Sequence, residues 1–128
     1  MRTTQKELAA LLTQYAAAIG YEIREDGRPW RDITDRDPYT DRADADRVGY
    51  TLHLERWSPG DGVCYRIVEA SMFLYPEGDP RRELGPTPSG ESCPLGSRYR
   101  SAGEMADALR FGIATVAAVK AGEPGADR

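Results

Sequence analysis

Two stretches of alternating apolar and polar residues constrain the fold of this chain more than any other feature. In GYTLHLERW, the side chains of Tyr50, Leu52 and Leu54 lie on one face of an extended strand. VCYRIVEASMFLYP follows after SPGDG, whose residues favour a turn, so the two stretches predict an antiparallel hairpin. The alternation of the second stretch changes phase at Ile67 and Val68. This change indicates either a β-bulge there or a strand that is covered on both faces.

The register of this hairpin decides which side chains meet on each face. A four-residue loop, residues 58–61, pairs Leu54 with Tyr65 and Leu52 with Ile67. This register sets apolar side chains against apolar side chains on the predicted core face, and we adopt it for that reason.

The same register brings three reactive side chains together on the opposite face. Glu55 then opposes Cys64, His53 opposes Arg66, and Trp57 ends the strand. A thiol, an imidazole and a carboxylate are the components of a cysteine nucleophile system or of a three-ligand zinc site. The simpler interpretation is a half-solvated sheet face with an ion pair between Glu55 and Arg66. We favour it because these residues lie in the middle of a strand with no oxyanion hole beside them.

A helix is predicted at each end of the chain. The first begins with a capping box of Thr4 and Glu7, and Gly20 ends it. Its apolar residues recur with helical spacing and form one stripe: Leu8, Leu11, Leu12, Tyr15 and Ile19. A short strand is predicted at YEIRE. The order helix, strands, helix predicts an α+β domain, with an antiparallel sheet of three to five strands and both helices packed on one face.

The last helix is predicted with a capping box of Ser101 and Glu104, and Gly122 ends it. No charged residue occurs between Arg110 and Lys120. Because this part of the helix is apolar all round, we expect it to be covered on more than one side. Either the domain core or a partner subunit in a homodimer would provide that cover.

Three segments lack an apolar stripe within what we expect to be a single domain, residues 1–128. Residues 31–47 hold six Asp and four Arg and are predicted to form a charged linker or loop. Residues 76–101 hold five Pro and four Gly and are predicted to form a long loop, with RREL and SRYR as short edge strands. Residues 122–128 are predicted to be a flexible tail.

Charge and cysteine content limit the classes of partner and compartment. The net charge is −4 at pH 7 and the pI is near 5.0, whereas phosphate contacts need clustered Lys and Arg. We therefore expect no direct binding to nucleic acid or to an anionic membrane. The longest apolar run, FGIATVAAV, is too short to cross a bilayer. With no secretory signal pattern and no cofactor motif, the sequence favours a cytoplasmic protein with no cofactor. The two cysteines, Cys64 and Cys93, are then expected to be free thiols, and a single bridge between them is the alternative.

The order helix, three strands, helix is similar to that of double-stranded-RNA-binding domains. Members of that family hold phosphate with a basic start to the last helix. Here that helix starts with SAGEMAD, which contains Glu104 and Asp107. The resemblance is therefore limited to the order of the elements and does not extend to RNA binding.

Small size, acidic charge and long irregular segments favour a non-enzymatic protein-binding module that docks on a larger protein or complex. A specific form of this hypothesis is an inhibitor or adaptor from a phage or mobile element that acts on a nucleic-acid-handling complex. The predicted binding residues are Trp57, Arg66, His53, Glu55, Asp35, Asp37, Asp41 and Asp44. Two alternatives stay open: an enzyme or metal protein that uses Cys64, His53 and Glu55, and a small-ligand-binding domain with its ligand under residues 76–101.

The Asp-rich segment is not expected to bind calcium. An EF-hand alignment from Asp35 puts Thr40 where the loop needs Gly, and Asp46 where it needs Glu. We therefore expect the protein to fold without added metal. An excess of Ca²⁺ or Zn²⁺ should leave the melting temperature unchanged in thermal denaturation, and a rise of more than a few degrees would contradict this expectation.

Overall fold

The computed structural model describes residues 2–33, 45–58, 60, 62–96 and 98–122. These residues form a helix, a five-stranded antiparallel sheet and a second long helix, which confirms the predicted α+β fold. The strands follow one another across the sheet in chain order, so neighbours in sequence are neighbours in space. The elements are α1 (Gln5–Ala18), β1 (Glu22–Ile23), β2 (Pro29–Asp32), β3 (Asp46–Trp57), β4 (Cys64–Leu74), a 3₁₀ helix (Pro80–Leu84), β5 (Thr87–Ser92) and α2 (Ala102–Gly122).

Local hydrogen bonds begin and end α1 as the sequence predicts. The side-chain oxygen of Thr4 accepts a hydrogen bond from the amide of Glu7 at 3.1 Å. After the helix, Gly20 has a φ of 98°, and the amides of Gly20 and Tyr21 donate to two carbonyls of the last turn. This pair of bonds is a Schellman motif. It needs a positive φ after the helix and therefore favours glycine there.

The hydrophobic core lies between the two helices and one face of the sheet, here called the core face. Leu52 of β3 and Ile67 of β4 are fully buried on this face, as are Leu8 of α1 and Met105 and Leu109 of α2. Both helices therefore pack on one face of the sheet, as predicted.

The hairpin pairs β3 with β4 two residues away from the predicted register. Leu54 lies opposite Ile67 and not opposite Tyr65, because six residues connect the strands instead of four. Gly60 and Gly62 both have positive φ in this connection. A shift of two residues keeps every side chain on its face, since the side-chain period of a strand is two. The predicted register was therefore wrong, although the side chains were assigned to the correct faces.

β4 is covered on both faces along its centre. Ile67 on the core face and Val68 on the opposite face have no exposed surface. Pairing with β3 is continuous through both residues, so the strand has no bulge there. Shifts in register occur instead near Gly49, where β3 pairs with β4, and near Ala70, where β4 pairs with β5. The alternation of apolar residues changes phase there because β4 is buried on both faces, which was one of the two predicted explanations.

Residues 76–101 contain a 3₁₀ helix and the edge strand β5, where the sequence predicts a loop. RREL, predicted as an edge strand, belongs to the 3₁₀ helix, and in SRYR the residue Tyr99 forms an isolated bridge with Tyr65. The sequence does not reveal β5 because an edge strand that contains Pro and Gly has no alternating apolar pattern.

The charged segment is shorter at both ends than the predicted range of 31–47. β2 includes Arg31 and Asp32, and β3 begins at Asp46. Residues 34–44 lie outside the described part of the chain, as does the predicted tail at 123–128.

α2 is less covered than the sequence predicts. Phe111 is 73% exposed and Val119 is 58% exposed, although both belong to its uncharged stretch. Its buried residues are Met105, Ala106, Leu109 and Gly112. Within the described part of this chain, the domain core therefore covers α2 on one side only, and cover by a partner subunit stays a prediction. The reason is that α2 belongs to a single layer of helices, and no further described element lies beyond that layer.

The two helices run parallel and approach each other closely at Gly112. A Cβ atom at Gly112 would lie 2.9 Å from Cε1 of Tyr15, so only glycine fits there without a shift of the ring. Further along, Nζ of Lys120 donates to the carbonyl of Ala18 at 3.0 Å and joins the end of α2 to the end of α1.

We expect Gly112→Ala to destabilise the protein by about 1–3 kcal/mol, because the strain of overpacking against Tyr15 exceeds the gain in helix propensity. Gly103→Ala is the matched control in the same helix, where a Cβ atom would meet no atom closer than 3.8 Å. That variant should be neutral or stabilised by up to about 1 kcal/mol. Urea denaturation measures both, and equal effects of the two substitutions would contradict the close approach at Gly112.

Candidate protein-binding site

The face of the sheet opposite the core face, here called the outer face, carries the predicted site residues of the hairpin. It is formed by Thr51, His53, Glu55 and Trp57 of β3 and by Cys64, Arg66, Val68 and Ala70 of β4. The observed register sets Glu55 directly opposite Arg66, with Trp57 one pair further along the same face. His53 lies one pair away in the other direction, where it is opposite Val68 and exposed.

Arg66 is the centre of a cluster of five side chains. Its guanidinium lies over the ring of Trp57, 5.4 Å from the ring centroid. Its Nη2 donates to both carboxylate oxygens of Glu55, at 3.0 and 3.1 Å, and to Glu91 at 3.5 Å. Its Nη1 lies 3.9 Å from Sγ of Cys93. We refer to these five residues as the Arg66 cluster, in which side chains from three parts of the chain hold one guanidinium in place.

The Arg66 cluster is partly open to solvent. The side chains of Arg66, Glu55 and Glu91 are 31%, 35% and 47% exposed. The hydrogen bond to Glu55 raises the pKa of Arg66 above its ordinary value, against a smaller opposing effect of burial, so the guanidinium keeps its charge. At this exposure, water screens the ion pairs, and they contribute little to folding. The cluster therefore matters for the fixed position of its groups more than for stability.

The grouping of Cys64, His53 and Glu55 that the enzymatic alternative requires is not formed. The observed register places Cys64 opposite Trp57, two pairs away from His53, and the carboxylate of Glu55 is engaged by Arg66. Both cysteines are free, so no disulfide joins them. Among the described residues, no three side chains of His, Cys, Asp or Glu are close enough together to hold a metal ion.

The acidic part of the predicted site falls outside the described residues: Asp35, Asp37, Asp41 and Asp44. Its points of attachment are described, since it follows Ile33 and precedes Ala45 next to the start of β3. Trp57 is at the other end of β3, roughly 35 Å away for an extended strand of this length. The attachment points are therefore remote from the Arg66 cluster.

A second polar cluster lies on the core face and was not predicted. Glu69 of β4 accepts hydrogen bonds from the hydroxyl of Tyr21 and from Nη2 of Arg31, the latter at 3.2 Å. The guanidinium of Arg31 lies over the rings of Tyr21 and Tyr50, 4.9 and 5.0 Å from their centroids. A signal was present in the sequence, because Glu69 stands at a core-facing position of an apolar strand. A carboxylate in such a position needs a charged or hydrogen-bonding partner.

Arg47 extends this second cluster and is itself buried, with 8% of its surface exposed. Its Nη1 donates to the hydroxyl of Tyr50 at 2.8 Å, while its Nε finds no acceptor among the described residues. The rings of Tyr50 and Phe73 lie 5.6 and 5.9 Å from the guanidinium carbon. Their electron-rich faces offset part of the lost hydration of the charge.

Two clefts bear on the ligand-binding alternative. One of about 550 Å³ lies where the two helices begin, with Arg2, Tyr65 and Arg100 in its lining. Another of about 390 Å³ lies where the helices end. The first cleft is lined in part by Arg100 and Ser101, at the end of the segment 76–101 under which that alternative expects its ligand, whereas the second is lined by no residue of that segment.

Comparison with known proteins adds no functional information. No protein-family model, no curated protein and no solved structure matches the chain. In the described part of the chain, no helix combines the length and the apolar character that crossing a bilayer requires. The interpretation of the site therefore depends on its own geometry and charge.

Buried tyrosines should make the fold sensitive to alkaline pH. Burial raises the pKa of Tyr15, Tyr21 and Tyr99 above the ordinary value of 10.0, and at Tyr21 the hydrogen bond to Glu69 adds to the effect. Phenols of the unfolded chain ionise near pH 10, so unfolding above that pH releases protons. The stability that these phenols contribute is complete below pH 10 and is lost as the pH rises toward their folded-state pKa values.

We expect the free energy of unfolding, measured by urea denaturation, to fall as the pH rises above 10, by at most about 1.4 kcal/mol per pH unit for each phenol that is still protonated in the folded chain. Tyr21→Phe should remove one phenol's share of this slope. It should also lower stability below pH 10, because Glu69 loses a hydrogen bond, and this difference from the original chain should shrink as the pH rises above 10. Equal slopes in the variant and the original chain would show that Tyr21 does not titrate in this way.

Proposed function

We propose that the chain is a small, acidic, non-enzymatic protein-binding module that docks on a larger protein or complex through the outer face around Trp57 and Arg66. The observation that carries this proposal is the Arg66 cluster. In it, Glu55 and Glu91 hold a guanidinium over the ring of Trp57 on a partly exposed sheet face. Trp and Arg are among the residue types most enriched at positions that dominate the binding energy of interfaces.

The fixed position of Arg66 favours binding because ordering of side chains is one of the main costs of association. Arg66 is already oriented by its two carboxylate partners, and Trp57 has only two side-chain torsions to restrict. A planar group of the partner, such as an aromatic ring, would thus meet an indole ring and a guanidinium that need little rearrangement.

The charge of the chain favours a partner with a basic surface. The net charge is −4, and two of the five residues in the Arg66 cluster are acidic. The basic channel of a nucleic-acid-handling complex is such a surface. The specific form of the proposal is therefore a cytoplasmic inhibitor or adaptor from a phage or mobile element. Because the acidic segment is attached at the other end of β3, we expect it to steer association and not to form the contact around Trp57.

The register argues against the enzyme or metal-protein alternative in its predicted form. Cys64 and His53 are two pairs apart on the outer face, too far for the imidazole to take the proton of the thiol directly. Glu55 bonds to Arg66 and is not set to orient the imidazole. The same three residues are more consistent with a surface for recognition.

Quantitative pull-downs with three baits test the binding face: the original chain, Trp57→Ala and Arg56→Ala. Arg56 is a matched control, because it is an exposed neighbour of Trp57 in β3 whose side chain lies on the core-face side of the strand. We expect the original chain and Arg56→Ala to capture a protein that Trp57→Ala does not capture. With that partner purified, Trp57→Ala should lose at least about 2 kcal/mol of binding free energy, or roughly thirtyfold in affinity.

The dependence of binding on salt concentration distinguishes residues that contact the partner from residues that only attract it electrostatically. Reversing the charges of Asp35 and Asp37 should mainly slow association, and the difference should shrink as the salt concentration rises. If Trp57→Ala bound the purified partner like the original chain at both low and high salt, the outer face would not be the interface.

A further inference from the structure

α2 has an exposed apolar row along its outward side. Phe111, Ala114 and Ala118 follow one another at spacings of three and four residues, and all three are exposed. Phe111 is 73% exposed and the flanking Val119 is 58% exposed, in a stretch of nine residues without a charge. The row therefore has one large side chain toward the start of the helix and small side chains toward its end.

We propose that α2 pairs antiparallel with α2 of a second copy of the chain, across a two-fold axis near Ala114 and Thr115. In this alignment, Phe111 of each copy packs on Ala118 of the other, so that a large side chain meets a small one. A parallel pair would set Phe111 against its own image and leave a gap between the alanines. A two-fold axis requires a self-complementary surface, and the order of large and small side chains along α2 provides one in the antiparallel sense.

The acidic residues at the start of α2 favour the same arrangement. Glu104 lies in the first turn, and the side chain of Asp107, one turn into the helix, is 83% exposed. Antiparallel pairing keeps the acidic starts of the two helices apart, whereas parallel pairing would bring them together. Antiparallel pairing also sets the two helix dipoles in opposite directions.

The size of the surface predicts the strength of this dimer. A helix of 21 residues is about 32 Å long and about 10 Å wide, so it offers less than the ~800 Å² per partner of a typical stable interface. A groove beside the row adds apolar surface and is lined in part by Ile19, Gly20, Val116 and Val119. The dimer is therefore weak, with a dissociation constant in the micromolar range.

Sedimentation equilibrium at about one to several hundred micromolar protein tests the dimer. The average mass should rise from the 14.1 kDa of one chain toward twice that value. Phe111→Asp should stay at the mass of one chain, and its melting temperature should not change because this side chain is 73% exposed. Leu84→Asp is the matched control. Leu84 is 70% exposed but belongs to the 3₁₀ helix, so this variant should dimerise like the original chain.

Disulfide cross-linking tests the alignment in a chain that carries Cys64→Ser and Cys93→Ser. Thr115→Cys lies beside the proposed axis and should form a disulfide-linked dimer under mild oxidation. Asp107→Cys is its control, because antiparallel pairing places the two copies of that position roughly 20 Å apart, far beyond the reach of a disulfide.

An average mass equal to that of one chain at every protein concentration would overturn the proposal. Equal dimerisation of Phe111→Asp and the original chain would overturn it too. Dissociation of the Leu84→Asp control would also overturn it, since association would then follow from exposed apolar surface in general. Cross-linking of Asp107→Cys as efficient as that of Thr115→Cys would exclude the antiparallel arrangement.

Discussion

The register in which β3 pairs with β4 decides which side chains meet on each face of the sheet. On the outer face it sets Glu55 against Arg66, and on the core face it places Glu69 where its carboxylate reaches Tyr21 and Arg31. A shift of two residues in either direction would leave every side chain on its face, but it would move Glu55 from directly opposite Arg66 to a diagonal position and would move Glu69 along the sheet relative to Arg31. The charged groups thus distinguish between registers that hydrophobic burial leaves nearly equivalent.

Arginine stacked on an aromatic ring is a recurrent contact of this protein. The guanidinium of Arg24 lies 4.0 Å from the ring centroid of Trp30, and that of Arg81 lies 3.9 Å from the ring centroid of Tyr75. The Arg66 cluster repeats the arrangement on the outer face. In each case the stem of the arginine covers apolar surface while its charged end attracts the electron-rich face of the ring. Such contacts shield aromatic rings on a sheet whose helices pack on one face.

The two proposed interaction surfaces lie on opposite sides of the molecule and differ in their physical basis. The outer face presents charged groups held in place beside a Trp, so its binding should respond to salt. The outward side of α2 is uncharged along residues 111–119, and binding there depends on apolar area and on the fit of Phe111 to small residues. Because α2 packs on the core face, a dimer through this helix would present two outer faces at once. A partner with repeated binding sites would then be bound more tightly, because binding of one outer face raises the effective concentration of the other near the next site.

Local sequence patterns were sufficient to predict the features that involve residues a few positions apart. The caps of α1 and α2 are hydrogen bonds across three residues, at Thr4 and Ser101, and the side-chain period of a strand placed Trp57 and Arg66 on one face. The α+β order followed from the same local patterns. Tertiary structure decided which distant residues meet. The register depended on the length and backbone conformation of a turn, and Glu91 joined the Arg66 cluster through an edge strand without an apolar pattern. The uncharged stretch of α2, residues 111–119, is exposed on its outward side for a similar reason. Whether a helix is covered on one side or on two depends on the number of secondary-structure layers in the whole fold, and the residue pattern of one helix does not indicate that number.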